Sequence, residues 1–121
     1  MQYLLMIYSA QGAGPEYGTP EFGKLMAGYQ SMTAEARENN VMEGGEPLQG
    51  IETATTVRVR NGKTEFTDGP FAETKEQLGG YYLLNCKDLD EALSYAAKIP
   101  TAEFGSIEVR PIWDMTSVSE Q

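Results

Sequence analysis

This chain contains no histidine, so any acid–base work must fall to carboxylates, phenols and a small set of cations. The missing imidazole removes the usual general base, the usual zinc ligand and both the Ser-His and the Cys-His nucleophile pairs. What remains for proton transfer is Asp68, Glu73, Glu76 and Glu108, with Lys75, Arg58, Arg60 and Arg110 as cationic partners. A carboxylate buried beside such a cation can take a proton from a carbon acid while the cation holds the anion that forms. Asp68, Glu73, Lys75 and Glu76 fall within one stretch, a turn from Asp68 that opens into a polar run and closes at Gly79-Gly80 into the apolar Tyr81-Tyr82-Leu83-Leu84. Asp-Gly-Pro at 68–70 is turn chemistry: Asp can bond the backbone beyond itself, Gly supplies unusual φ, and Pro stops a preceding strand. Two readings stand side by side. In one, Asp68 caps its own turn and the polar run is solvated. In the other, Asp68 and Glu73 are catalytic, and Lys75, Arg58, Arg60 and Glu76 border a pocket for a small anionic or carbonyl ligand.

The remaining chemistry is sparse. Cys86 is the single cysteine, so no intramolecular disulfide forms; it reads as a buried strand residue and points to a reducing, cytoplasmic setting. Without His or a second Cys the ligand set for a transition metal is poor, and no metal and no cofactor are expected. Asp88, Asp90 and Glu91 are read as helix capping rather than as a cation site. No Gly-rich phosphate loop is present. With 9 Lys and Arg against 18 Asp and Glu, the net charge of −9 repels phosphate backbones and anionic lipid, so neither nucleic acid nor a membrane is expected as partner. Met1 to Ala10 is apolar but has no basic n-region and is too short to span a bilayer; it reads as a first strand.

The elements that must position these residues follow from periodicity. A length of 121 residues suits one domain, taken as residues 1–116, with Ser117 to Gln121 read as a frayed tail. In the first strand Tyr3, Leu5 and Ile7 alternate with Leu4, Met6 and Tyr8, so both faces are apolar. Thr19-Pro20 is an N-cap followed by a proline at the first helical position; Phe22, Leu25, Met26, Tyr29, Met32 and Ala36 follow at helical spacing, and Asn39-Asn40 ends the helix. Gly23 and Gly28 cost that helix roughly 1 kcal/mol each relative to Ala, which suits a backbone that must approach a neighbour closely. Val41 to Leu48, with Gly44-Gly45 and Pro47, reads as an edge strand.

Thr53 to Arg60 and Lys63 to Thr67 flank Asn61-Gly62, the favoured pair for a type I′ hairpin turn. Thr55, Val57 and Val59 share one face of its first arm and Thr56, Arg58 and Arg60 the other, which reads as a charged, solvated face or as a pocket wall. Gly80 to Cys86 is a second strand apolar on both faces. Asp88 and Glu91 cap a helix carrying Leu89, Ala92, Leu93, Ala96 and Ala97, and Pro100 marks its end. Ser106 to Ile112 closes the fold, Ile107 and Val109 facing one way and Glu108 and Arg110 the other.

The order strand, helix, strand, hairpin, strand, helix, strand predicts an α+β fold: a ferredoxin-like split βαβ sheet with an inserted β-hairpin and both helices on one face. Right-handed crossovers place the first strand and the Gly80 to Cys86 strand in the centre. Helices cover one face of the sheet only, so the other needs a cover, and a second copy of the chain, a homodimer, is the simplest.

The run Asp68-Gly69-Pro70-Phe71 through Leu84, with Gly44-Gly45-Glu46, Thr53 to Arg60 and Ser106 to Pro111, resembles the DGPF branch of the YCII-related domain family of small bacterial proteins. The resemblance implies a dimeric α/β barrel in which two sheets pack face to face. The wider family is associated with a His and Asp pair as active site, and this sequence lacks the histidine half of that pair. Two functions follow: a cofactor-free acid–base enzyme acting on a small anionic or carbonyl compound, or a non-catalytic ligand-binding or regulatory module, like members that resemble accessory proteins of extracytoplasmic-function sigma factors.

Overall fold

The structure is a computed structural model that describes residues 1–116; the expected tail, 117–121, lies outside the described residues. The elements run β1 (Gln2–Ala10), α1 (Pro20–Glu38), β2 (Met42–Pro47), a short 3-10 turn (Ile51–Thr53), β3 (Thr55–Arg60), β4 (Lys63–Asp68), β5 (Glu76–Asn85), α2 (Leu89–Ala97), a second 3-10 turn (Pro100–Glu103) and β6 (Ser106–Pro111). β1, β2, β5 and β6 form a four-stranded antiparallel sheet in the order β2-β5-β1-β6, the split βαβ order. The two strands apolar on both faces, β1 and β5, are therefore the central pair.

One face of this sheet carries the core. Tyr3, Leu5 and Ile7 of β1 and Leu84 of β5 pack with Met32 and Ala36 of α1 and with Ala92, Tyr95 and Ala96 of α2, and Leu5, Leu84 and Ala92 are fully buried. Both helices are capped as their sequences demand: Thr19 Oγ1 accepts from the Phe22 amide at 3.2 Å, and Asp88 Oδ1 from the Glu91 amide at 2.9 Å. The Glu91 carboxylate reaches back to the Lys87 amide at 3.0 Å, one residue before the cap. A Cβ at Gly28 would stand 2.7 Å from Pro100 Cγ, so Gly28 lets α1 close on the second 3-10 turn, whereas Gly23 faces open space.

Four expectations change in three dimensions. β5 begins at Glu76, not Gly80, because Glu76 and Gln77 pair with Ala10 and Ser9, and the register shift opposite Ile7 and Tyr8 leaves Gly79 as the unpaired residue of a bulge. α1 does not bury its whole apolar stripe: Met32 and Ala36 are buried, but Met26 near the N-terminal end is exposed, and Phe22 packs edge-on against Tyr17 instead. α2 turns Ala92, Tyr95 and Ala96 inward and leaves Leu89 and Leu93 exposed, since a nine-residue helix buries only one narrow stripe.

The hairpin is the fourth. β3 and β4 form a two-stranded sheet of their own that pairs with no strand of the main sheet. Asn61 and Gly62 have φ of 53° and 77°, as the type I′ turn requires. Its charged face, however, is the more covered: Thr56 and Arg58 are half-buried, while Val57 and Val59 are exposed on the other side together with Phe66, the partner of Val57.

Candidate functional site

The turn after β4 is held by its neighbours rather than by its aspartate. Gly69 adopts φ +95°, a conformation that L side chains rarely take. Its amide donates to Ala54 O at 2.7 Å and its carbonyl accepts from Thr56 Oγ1 at 2.8 Å. Arg58 Nη2 donates to the Phe71 carbonyl at 3.3 Å, so the segment after the turn folds back over the charged face of β3, which explains the cover there. Thr74 Oγ1 donates to the Glu76 carbonyl at 2.5 Å and leads the chain into β5. The Asp68 carboxylate is exposed and accepts no hydrogen bond among the described residues, which removes the self-capping role considered for it.

The expected site residues separate into three places. Glu73 and Lys75 stand exposed on the connecting segment beside Asp68. Arg58 meets that segment through Phe71. Arg60 pairs with Lys63 at the tip of the hairpin, five residues beyond the Thr55–Asp68 pair, about 17 Å along the strand at roughly 3.3 Å per residue. Glu76 goes elsewhere again: paired with Ala10, it lies in the row of β1 and β5 residues on the sheet face opposite the helices, and it is half-buried.

That opposite face is apolar along its centre. Leu4, Met6 and Tyr8 of β1 stand beside Leu83, Tyr81 and Leu78 of β5, all turned away from the helical layer. Along β6, Glu108 pairs with Met6 and Arg110 with Leu4, and Arg110 Nε donates to Glu108 Oε2 at 2.6 Å. On the far side, Glu46 of β2 pairs with Tyr81. An apolar floor with a carboxylate–guanidinium pair at one edge and Glu76 and Glu46 at others is the combination small-molecule sites use: surface to bury and a few polar groups to orient.

A second polar cluster lies inside the helical layer, where sequence periodicity offered only core residues. The Tyr29 hydroxyl is hydrogen-bonded to Thr101 Oγ1, and Thr33 Oγ1 lies 3.1 Å from the Tyr82 hydroxyl. Burial pushes the Tyr29 phenol above its ordinary value, with the Thr101 hydrogen bond acting against that shift. Tyr29 and Thr33 also line a groove of about 280 Å³ with Gln30, Ala34 and Arg37. The available signal was that tyrosine on an apolar stripe needs a partner for its hydroxyl, and Thr33 is one turn from Tyr29 on the same helix. Cys86 is 1% exposed, and burial first, then the neighbouring Glu91, raises its thiol pKa, which keeps it protonated and unreactive. Among the described residues no cluster of His, Cys, Asp and Glu could hold a metal ion, and no helix is long and apolar enough to cross a membrane.

A family model described as the YCII-related domain matches residues 1–116, which takes in both sheets and both helices. The chain belongs to the YCII-related domain family. An uncharacterised protein of Rhizobium meliloti (strain 1021) is 35% identical over 114 residues, covering 93% of this chain and 92% of that one. Among solved structures this YCII-related chain is similar to 5-chloro-2-hydroxyhydroquinone dehydrochlorinase (TftG) from Burkholderia phenoliruptrix AC1100 in complex with 2,5-dihydroxybenzoquinone. The TM-score is 0.51 at 14% identity, over 93% of this chain and 94% of the other. At that identity the likeness is one of fold: the YCII-related chain shares the arrangement of two helices on an antiparallel sheet.

Proposed function

We propose that this YCII-related chain, through the Asp68 to Phe71 run a member of the DGPF branch, works as a homodimer of the dimeric α/β-barrel type. The open faces of two four-stranded sheets then enclose a pocket for a small anionic or carbonyl compound. The observation that carries this reading is the sheet face turned from the helices: the apolar row of Leu4, Met6, Tyr8, Tyr81 and Leu83 is only half-buried, has no cover from its own helices and is edged by the Glu108–Arg110 pair. The compound held by the dehydrochlorinase of the same fold, a dihydroxybenzoquinone, is of this class, flat and bearing carbonyl and acidic hydroxyl groups. In such a pocket Glu76 or Glu108, dried by the second sheet, takes a proton from the ligand, and Arg110 holds the negative charge that develops. Asp68, Glu73 and Lys75, at the end of the sheet where β5 begins, border the entrance, and Arg58 acts by fixing the segment that carries them. No cofactor takes part in this scheme.

The test is thermal melting of the protein and of Arg110→Met with a panel of hydroxybenzoquinones and small keto acids, beside proton exchange of the carbonyl compounds in D2O. A melting shift that Arg110→Met abolishes, together with catalysed exchange, supports the enzyme. The absence of any shift across the panel overturns the pocket. A second reading, a binding or regulatory module, draws on the exposure of Asp68, Glu73 and Lys75, since a carboxylate in open water is a weak catalyst. Under that reading ligands raise the melting temperature and exchange stays at the buffer rate.

A further inference from the structure

We infer that the β3–β4 hairpin is an arm that clasps a second copy of this chain, with Val57, Val59 and Phe66 as its contact face. Among the described residues the arm pairs with no other strand, and every residue of β4 is exposed. A two-stranded hairpin alone is marginally stable in water, so a persistent arm needs a surface to lie on. Its uncharged face is the one left bare, with Val57 55%, Val59 60% and Phe66 72% exposed, while the charged face is occupied by the chain's own segment after Gly69 through Thr56 and Arg58. The face free to dock is thus the apolar one.

Charge and area point to a second copy as the occupant. The outer end of the hairpin, Arg60 to Lys63, carries Arg60 and Lys63 and no acid, a charge of +2, while Arg58 is paired across the strands with Glu65; against −9 for the whole chain, everything else carries −11. A basic tip on an acidic body is repelled by basic partners and attracted to another body of the same kind. At the exposures above, and taking roughly 150–250 Å² for an aromatic side chain and somewhat less for valine, the three residues leave on the order of 300 Å² of apolar surface per arm. Two arms, each covering an equal area on the other chain, remove about 1,200 Å² from solvent, the lower end of the range for specific interfaces. The clasp shares the second copy with the proposed function but does not depend on the sheet faces meeting.

Sedimentation velocity across a concentration series decides it, using wild type, Phe66→Lys, an arm-shortened chain in which Val57 to Phe66 are excised and Thr56 is joined to Thr67 through Asn-Gly, and the sheet-face variant Leu83→Asp. Phe66 is exposed and Thr56 and Thr67 are paired neighbours, so both arm variants keep the body of the fold; circular dichroism verifies this. The expected result is a wild-type dimer whose dissociation constant rises at least tenfold in both arm variants and also rises in high salt. Wild-type affinity in both arm variants, or a wild type monomeric at tens of micromolar, overturns the inference. If Leu83→Asp alone breaks the dimer, the arm is not the clasp and the face-to-face barrel stands. If the arm variants break it and Leu83→Asp does not, the barrel falls and the clasp stands.

Discussion

Replacing Thr56 by Val removes one hydroxyl from a half-buried position and with it the hydrogen bond to Gly69 O at 2.8 Å, one of the contacts that close the turn after β4. The substitution is nearly isosteric, so its cost is that of one hydrogen bond with its acceptor left partly unsatisfied, about 1 kcal/mol. Gly69→Ala acts on the same turn by another route. Beyond its two chain neighbours no described atom lies within 4 Å of the Cβ it would add, so the cost is backbone strain at φ +95°, about 1–2 kcal/mol. Asp68→Asn touches an exposed side chain with no hydrogen bond among the described residues and should change stability by less than about 0.5 kcal/mol. The turn can open without the core, so the sensitive assay is amide hydrogen exchange at Gly69, whose N–H is bound to Ala54 O at 2.7 Å. One kcal/mol corresponds to about fivefold faster exchange, expected for Thr56→Val and absent for Asp68→Asn. If Asp68→Asn accelerates exchange as much as Thr56→Val, the aspartate holds the turn and the roles given to Thr56 and Arg58 are wrong.

Leu84, 0% exposed at the centre of the sheet, should cost about 2–5 kcal/mol when changed to Ala, read as a lower midpoint in urea with an unchanged slope. Burial raises the Tyr29 phenol in the folded state, so the unfolded chain releases that proton first; the stability it contributes is present below the ordinary tyrosine range near 10 and lost as pH rises through the folded value. Alkaline unfolding of Tyr29→Phe should accordingly be shallower than that of wild type, and identical profiles would contradict the burial argument. Cys86, 1% exposed and raised in pKa by burial, should react with a thiol reagent only at the rate of unfolding, whereas a stoichiometric burst in native buffer would show an open path to it.

Local chemistry was enough to read the elements and their order. Thr19-Pro20 and Asp88 with Glu91 cap their helices, and Asn61-Gly62 makes its hairpin, because caps and two-residue turns are set by side chains within a few positions of the backbone they serve. The double alternation of β1 and of Tyr81 to Leu84 is likewise legible, and with right-handed crossovers it puts those strands in the centre.

Fine placement was not legible, because it depends on contacts between residues far apart in the chain. Glu76 and Gln77 look like loop residues until β1 is present to pair with them, and only that pairing turns Gly79 into a bulge and sets Glu76 on the open sheet face. The hairpin's alternation names its two faces but not which is bare; the segment beyond Gly69 covers the charged one, through Thr56 and Arg58. Periodicity assigns Tyr29 and Tyr82 to a core, and the hydroxyl cluster exists because the second 3-10 turn brings Thr101 to Tyr29, 72 positions away, while α1 brings Thr33 to Tyr82. A pattern of period two or 3.6 records which residues share a side; what stands on that side is decided by the chain that folds against it.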